Sequence, residues 1–173
     1  MDKKLEKAVN TLKKGGIIAF PTETVYGLGA RLKDKKAIVR IFAIKKRSRT
    51  KPLQILVASL EQAKKLGIFN KQALGLAEKG WPGPLTLVVM KKRTVPKIVT
   101  GGRSTVGLRV PDHKIALELI KQCGPIVATS ANEAGEKPAL TARQVKKLLP
   151  EIDHVLSGRV GSGKPSKVVD ATE

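Results

Sequence analysis

Lys45-Lys46-Arg47-Ser48-Arg49-Thr50-Lys51 is a cationic heptad, and Pro52 joins it directly to the apolar run Leu53-Gln54-Ile55-Leu56-Val57-Ala58. Five of its seven residues carry positive charge and none is acidic. The apolar run predicts a buried strand. Cations set against a buried strand indicate a pocket for a polyanion such as nucleotide phosphates, because Arg supplies a fork of donors and Lys a point charge. The heptad alone slightly favours a simpler interpretation, a solvated basic face.

A helix precedes the heptad, and we expect Asp34 to cap it. Its apolar face has helical spacing and consists of Ala37, Ile38, Ile41 and Phe42. The heptad therefore joins a helix to a strand, and this alternation continues along the chain. Further strands are predicted at Ile17–Phe20, Leu85–Met90, Val106–Val110 and Pro125–Thr129, with short candidates at His154–Leu156 and Val168–Asp170. The alternation predicts an α/β protein with an open sheet flanked by helices.

Local signals add detail to this fold. We expect helix caps at Ser59, Asn70, Asp112 and Thr141. We interpret Pro21 to Ala30 as a loop, because it contains Pro, Thr, Glu and two Gly. The connections between Leu85 and Val110 lack a helical pattern. Part of the sheet should therefore be antiparallel, which makes the sheet mixed.

Composition limits the class of protein. The 173 residues suit one domain, residues 1–173, and 34 Lys and Arg against 14 Asp and Glu give a formal net charge of +20. That charge favours anionic partners: nucleotides, nucleic acid or acidic membrane surfaces. Three Phe, one Tyr and one Trp give little support to base stacking on single strands. One cysteine, no signal region and no membrane-spanning run predict a soluble cytoplasmic protein without an intrachain disulfide.

One glycine-rich segment imitates a phosphate-binding loop. Gly158-Arg-Val-Gly-Ser-Gly-Lys164 matches all but the end of a P-loop. Pro165 stands where Ser or Thr should bind magnesium, and a strand pattern follows where a helix is required. We therefore interpret Gly158 to Lys167 as a flexible basic loop. The two histidines, His113 and His154, lack ligand partners at metal spacing, so no metal site in the protein is predicted.

Hydroxyls and cations collect where predicted strands end. Pro21-Thr22-Glu23-Thr24 follows the first strand, and Thr129-Ser130-Ala131-Asn132 follows the strand at Pro125–Thr129. In open α/β sheets, ligands bind beyond the carboxyl ends of the strands. Arg109 stands inside an apolar strand, and a buried Arg needs an anionic partner, either an internal carboxylate or a ligand.

Five motifs in this order resemble the YrdC-like family. They are Phe20-Pro-Thr-Glu-Thr-Val-Tyr-Gly-Leu-Gly29, Lys45-x-Arg47 with Lys51-Pro-Leu53, Trp81-Pro-Gly-Pro-Leu-Thr86, Val106-Gly-Leu-Arg-Val-Pro111 and Thr129-Ser-Ala-Asn132. The resemblance runs from about residue 8 to residue 170. It implies a twisted open mixed sheet with a concave, positively charged face. It also implies the family's usual activity, synthesis of L-threonylcarbamoyladenylate from L-threonine, bicarbonate and ATP with release of pyrophosphate, which begins threonylcarbamoylation of tRNA.

The resemblance also assigns roles to residues of this chain. It implies that Lys45 and Arg47 bind phosphate and act in catalysis. The nucleotide side of the site would further include Thr105, Ser130, Asn132 and Ser166. The threonine side would consist of Thr22, Arg109, Thr129 and Ser157, with Arg109 gripping the carboxylate in a bidentate manner.

The implied chemistry needs no Ser or Cys nucleophile, because threonine's amine, once carboxylated to a carbamate, attacks the α-phosphate. Alignment can supply roughly 7–11 kcal/mol of the barrier, and charge stabilisation is usually the largest further contribution. Mg²⁺ would be held by ATP itself. Leu156-Ser157-Gly158-Arg159 departs from the acidic-Gly-Gly turn common in the family, and Pro165-Ser166-Lys167 departs from its Glu-Ser-Thr.

Two other functions are compatible with the sequence. One is a non-enzymatic protein that binds structured RNA, which the net charge permits. The other is a carbamoyladenylate-forming domain that serves another acceptor. Partner proteins of tRNA modification, or tRNA itself, are expected around the enzyme; no membrane partner is expected.

Overall fold

The computed structural model describes residues 1–173 and contains seven helices and nine strands. The helices are α1 Lys3–Lys13, α2 Lys35–Lys45, α3 Leu60–Lys64, α4 Lys71–Gly80, α5 Lys97–Thr100, α6 Lys114–Cys123 and α7 Ala142–Leu148. The strands are β1 Ile18–Phe20, β2 Gly27–Arg31, β3 Gln54–Leu56, β4 Gly67–Ile68, β5 Leu85–Lys91, β6 Thr105–Arg109, β7 Ile126–Ser130, β8 His154–Val155 and β9 Lys167–Asp170. None of the helices combines the length and the apolar character that a bilayer crossing requires.

All nine strands form one mixed sheet, which confirms the predicted class. Its order is β4-β5-β6-β3-β7-β2-β1-β8, and β9 pairs in parallel with β5. The β5–β6 pair is antiparallel, as predicted, while β3 runs parallel to β6 and antiparallel to β7. Central strand β3 therefore places the end of the cationic heptad beside the start of β6 and the Thr129-Ser130 end of β7, while Leu56, at the other end of β3, pairs with Arg109.

The two faces of the sheet are covered unequally. On one face, alternate strand residues such as Ile55, Leu108 and Val127 join a cluster of 30 buried residues with α2, α3, α4, α5 and α7. On the other face, only α1 and α6 cover the sheet, in a cluster of 12 buried residues that includes Leu56 and Ile126. The rest of this second face is left uncovered by helices, and it becomes the floor of a cavity.

The predicted loop from Pro21 to Ala30 is confirmed for residues 21–26 and wrong from Gly27 on, where strand β2 lies. The glycines of this segment suggested a loop, but close packing against the neighbouring strands requires them. A Cβ on Gly29 would lie 2.7 Å from Ile126 Cγ2 and 2.9 Å from the Val127 carbonyl. A Cβ on Gly27 would lie 3.1 Å from the ring of Phe20. Glycine here permits close approach between neighbouring strands rather than a turn.

Three of the five predicted caps are confirmed and two are wrong. The side chains of Ser59, Asn70 and Thr141 accept hydrogen bonds from backbone N–H groups in the first turn of their helices. Asp34 stands at the N-cap of α2, but its carboxylate binds Arg31 at 2.7 Å instead. The N-cap of α6 is His113, not Asp112. A short helix, α5, also interrupts the connection that was predicted to lack helix.

Candidate active site

A cavity of about 430 Å³ occupies the uncovered face of the sheet. Its floor consists of alternate strand residues, since every second side chain points to this face. Small residues deepen the floor, namely Gly27, Gly107 and Ala128. Arg47, Arg103 and Arg109 line the wall, which contains no Asp or Glu. The cavity thus lies on the face of the sheet rather than beyond the strand ends, where ligand binding was expected.

Seven of the ten predicted site residues line this cavity. They are Thr22, Arg47, Thr105, Arg109, Thr129, Ser130 and Ser166. Lys45 and Asn132 are buried behind the wall, 1% and 6% exposed, and Ser157 is an exposed residue outside it. The seven residues come from five separate segments, and this convergence is what the sequence predicted. Their individual roles toward ATP and threonine remain predictions.

Arg47 places a half-buried guanidinium in the cavity wall. Its Nη2 donates to the Pro52 carbonyl at 2.8 Å, which ties the side chain to the start of the strand segment. Its Nε is buried and has no hydrogen-bond partner. Burial lowers the pKa of Arg47 below its ordinary value. An unpartnered buried donor is costly. The Nη1 donors also lack a protein acceptor, and because Arg47 lines the cavity they are the ones available to an incoming anion.

Arg109 is nearly fully occupied by protein groups. Its side chain is 3% exposed and forms an ion pair with Glu23, whose carboxylate also accepts the backbone N–H of Asp112. Its Nε donates to the Gly83 carbonyl at 3.1 Å, and Nη2 approaches Thr24 Oγ1 at 3.4 Å. Burial lowers the pKa of Arg109, and the Glu23 charge acts in the opposite direction.

These contacts correct the expected bidentate grip. A guanidinium has five N–H donors, and Glu23, Thr24 and Gly83 take the Nε and Nη2 donors. The donors that remain for a ligand are those of Nη1, which is 3.5 Å from Thr24 Oγ1. The internal carboxylate, which the sequence left as one of two alternatives, is thus Glu23.

Lys45 has a different position from the one predicted. Its Nζ donates to the Ser130 carbonyl at 2.6 Å, to the Asn132 carbonyl at 2.9 Å and to Asn132 Oδ1 at 2.7 Å. Burial lowers its pKa to about 7, and the nearby Arg47 charge contributes to the shift. All three ammonium protons are satisfied inside the protein. The predicted contact of Lys45 with phosphate is therefore not what the structure presents.

The glycine-rich loop packs against the threonine-rich segment. The backbone N–H groups of Gly161, Ser162 and Gly163 donate to the carbonyls of residues 22, 23 and 24 at 3.1, 2.9 and 2.9 Å. A P-loop would direct such N–H groups at phosphate, so its rejection agrees with the structure. A Cβ on Gly161 would lie 1.8 Å from the Glu23 carbonyl oxygen, which explains the glycine.

Beyond this loop, Ser166 closes a chain of polar groups on the floor. Its Oγ lies 2.8 Å from Thr86 Oγ1, which donates to Gln54 Oε1 at 2.8 Å. Because the Gln54 oxygen is held by Thr86, its amide donors are left for a ligand. Sequence reasoning missed Gln54, Thr86 and also Arg103. The available signal was the alternation Thr105-x-Gly107-x-Arg109, because polar and small residues at every second position of a strand indicate that this face of the sheet is not packed in the core.

The fold and the cavity together define an anion-binding α/β domain whose site lies on the open face of a mixed sheet. The Sua5/YciO/YrdC family model, described as "Telomere recombination", matches residues 10–173. The chain therefore belongs to this family.

Relatives agree with this assignment. A threonylcarbamoyl-AMP synthase of Pyrococcus abyssi is 42% identical over 98% of this chain, which spans 51% of that relative's length. A threonylcarbamoyl-AMP synthase of Thiobacillus denitrificans is 35% identical, over 92% of this chain and 86% of the relative. The crystal structure of P. abyssi Sua5 complexed with L-threonine superposes with a TM-score of 0.93, at 42% identity, over 98% of this chain and 51% of that one.

Proposed function

We propose that this protein is an L-threonylcarbamoyladenylate synthase. The observation that carries the proposal is the cavity itself, which combines a deep arginine, Arg109, with two further arginines, Arg47 and Arg103, and no acidic residue. ATP, the threonine carboxylate and the carbamate formed from the threonine amine are all anionic groups, and a site that holds them together needs several cations. Membership of a family whose curated relatives carry this enzyme name supports the choice.

The proposed reaction balances without a protein nucleophile. Threonine's amine and bicarbonate give a carbamate and water. A carbamate oxygen then attacks the α-phosphorus of ATP, the bond from that phosphorus to the bridging oxygen breaks, and pyrophosphate leaves. The protein must align the two reactants and neutralise the charge that develops on the phosphates.

The cavity residues divide these tasks. Arg109 offers its Nη1 donors to the threonine carboxylate, and Thr22 and Thr129 line the same cavity. Thr22 already donates to the Val25 carbonyl at 2.7 Å, so it contributes shape rather than a free proton. Arg47 offers its Nη1 donors to the phosphates, and Arg103 adds a second charge at the wall. Preorganised charges of this kind stabilise the negative charge that develops on the phosphates in the transition state.

Mg²⁺ does not fit a site built by this protein. No group of three or more His, Cys, Asp or Glu side chains could hold a metal ion, and the cavity wall contains no carboxylate. Mg²⁺ in nucleotide sites is usually bound through one or two carboxylates together with substrate phosphates. We propose that the ion arrives on ATP, held by the phosphates alone.

The product is a reactive mixed anhydride, so it must be used quickly. We propose that it supplies the threonylcarbamoyl group for tRNA and that the protein works in the cytoplasm beside the tRNA-modification partners that consume it. The formal charge of +20 favours a location near nucleic acid.

Pyrophosphate release from ATP tests the proposal. Release should require both L-threonine and bicarbonate, and omission of either should abolish it. Arg47→Met should raise the KM for ATP about 10–100-fold, the value of a charge-assisted hydrogen bond. Arg49→Met is the matched control, because Arg49 is exposed in the same heptad and does not line the cavity. Pyrophosphate release that ignores threonine, with RNA binding unaffected by Arg47→Met, would favour the RNA-binding alternative.

A further inference from the structure

The ammonium group of Lys45 is held in a closed set of oxygen acceptors. Three donors meet three oxygens at 2.6, 2.9 and 2.7 Å, all of them from Ser130 and Asn132. The residue is 1% exposed and does not line the cavity. A lysine that contacts phosphate needs at least one donor that faces the ligand. None is left here without breaking a bond to the loop.

The loop that Lys45 holds is connected to it at several points. The Lys45 carbonyl accepts the backbone N–H of Ala134 at 2.9 Å. Asn132 Oδ1 accepts from both Lys45 and the Ser130 hydroxyl, the latter at 2.8 Å. The Asn132 amide nitrogen donates onward to the Glu136 carbonyl. The segment from Ser130 to Glu136 is therefore organised around one ammonium group.

This arrangement fixes how Ser130 faces the cavity. The Ser130 proton is directed at Asn132 Oδ1, and the ammonium group of Lys45, which can only donate, holds that acceptor oxygen in place. Ser130 lines the cavity, so it presents oxygen lone pairs there rather than its proton. A hydroxyl of this kind accepts a hydrogen bond from a ligand donor, such as a ribose hydroxyl or a water of hydration of a nucleotide-bound cation.

We propose that Lys45 is a positioning residue, which orients the Ser130 hydroxyl toward the nucleotide through the Ser130–Asn132 loop and does not itself touch phosphate. The expected effect of Lys45 on catalysis rests on the proposed function. The location of Lys45 outside the cavity does not depend on which reaction the protein catalyses. Arg47, two residues further on, is then the member of the heptad that meets the phosphates.

Acylation of lysines in the wild-type protein, followed by mass spectrometry with and without ATP, tests the structural part. Lys46 is the matched control, because its side chain is 73% exposed one position away. Lys46 should be acylated readily, and Lys45 should stay unmodified under both conditions. Acylation of Lys45 in the absence of ATP, followed by protection when ATP is added, would overturn the proposal.

A double-mutant cycle tests the kinetic part. Lys45→Met should lower kcat/KM for ATP about 100-fold in the wild-type background, but less than about threefold in a Ser130→Ala background, because the two residues act as one unit. A direct phosphate contact predicts the same loss in both backgrounds, and so does simple loss of folded protein. Equal losses would therefore refute the positioning role.

The two proposals can fail separately. Wild-type protein without threonine-dependent pyrophosphate release would refute the proposed function, while the acylation pattern would still decide the placement of Lys45. Lys46→Met, which removes an exposed lysine paired with Glu133 at 3.1 Å, should leave kcat/KM unchanged within about twofold.

Discussion

Replacing Glu23 by Gln should make the protein less stable and yet bind threonine more tightly. The amide keeps the shape of the side chain and can still accept the Asp112 N–H, so the change removes mainly the charge. The side chains of Arg109 and Glu23 are 3% and 16% exposed. Breaking a buried ion pair costs about 3–5 kcal/mol, and the partial exposure of Glu23 reduces this to about 2–3 kcal/mol. For a chain of this size the melting temperature should fall by about 5–10 °C.

Threonine should recover part of this loss, and more than it gives to the wild type. In the wild type, the ligand carboxylate and Glu23 share the guanidinium of Arg109. Two carboxylates about 5 Å apart repel by about 3 kcal/mol at an effective dielectric constant of about 20. Removal of that repulsion should tighten threonine binding about 10–100-fold, even after some loss of order at Arg109.

Thermal unfolding with increasing L-threonine measures both effects in one experiment. Threoninamide, which lacks the carboxylate, is the matched ligand and should stabilise both proteins equally little. Glu133→Gln is the matched variant, because Glu133 pairs only with the exposed Lys46. If threonine stabilises Glu23→Gln no more than the wild type, the assignment of Arg109 to the threonine carboxylate is refuted.

Three further perturbations test other parts of the structure. Lys45→Met should remove a pH dependence of stability. The pKa of Lys45 is about 7 in the folded protein and 10.5 ordinarily, so between these values the unfolded state binds one more proton than the folded state. The free energy of unfolding of the wild type, measured with urea, should therefore rise from pH 7 to pH 10 by up to about 4 kcal/mol more than that of the variant. Gly161→Ala should raise the rate of amide hydrogen exchange at residues 161–163, because its Cβ would lie 1.8 Å from the Glu23 carbonyl oxygen. Gly75→Ala is the control: nothing lies near a Cβ at this position in α4, so the change should be neutral or stabilise the protein by up to about 1 kcal/mol. Gly107→Ala would place a Cβ 3.2 Å from Thr86 Cγ2 on the cavity floor. It should raise the KM for the substrates several-fold in kinetic assays, while the melting temperature stays within about 3 °C of the wild type. Unchanged KM values would show that Gly107 is not part of the binding surface.

The class of fold could be predicted from the sequence because the spacing of apolar residues indicates which side chains are buried. The face Ala37, Ile38, Ile41 and Phe42 predicted α2, and all four of these side chains are buried. Strand β2 was missed because its sequence, Gly27-Leu-Gly-Ala-Arg31, has no alternation of apolar and polar residues. Its neighbours β1 and β7 demand small residues there, and pairing partners across a sheet cannot be seen in a single segment.

The candidate site was predictable as a set of residues but not as a set of orientations. Lys45, Lys46 and Arg47 look alike in sequence, yet one is buried, one exposed and one half-buried. Their differences arise where helix α2 ends, with Lys46 in the left-handed region at φ 52°. Likewise, Glu23 and Arg109 are 86 positions apart, so their ion pair depends on the sheet topology that brings the two segments together.

Incubation with ¹³C-bicarbonate, L-threonine and ATP, followed by mass spectrometry of the products, tests the central claim most directly. If the cavity holds threonine against ATP, an adduct of AMP and threonine should form that contains one carbon from bicarbonate, in step with pyrophosphate. Hydrolysis of ATP without such an adduct, or an adenylate of threonine that lacks the labelled carbon, would contradict the account.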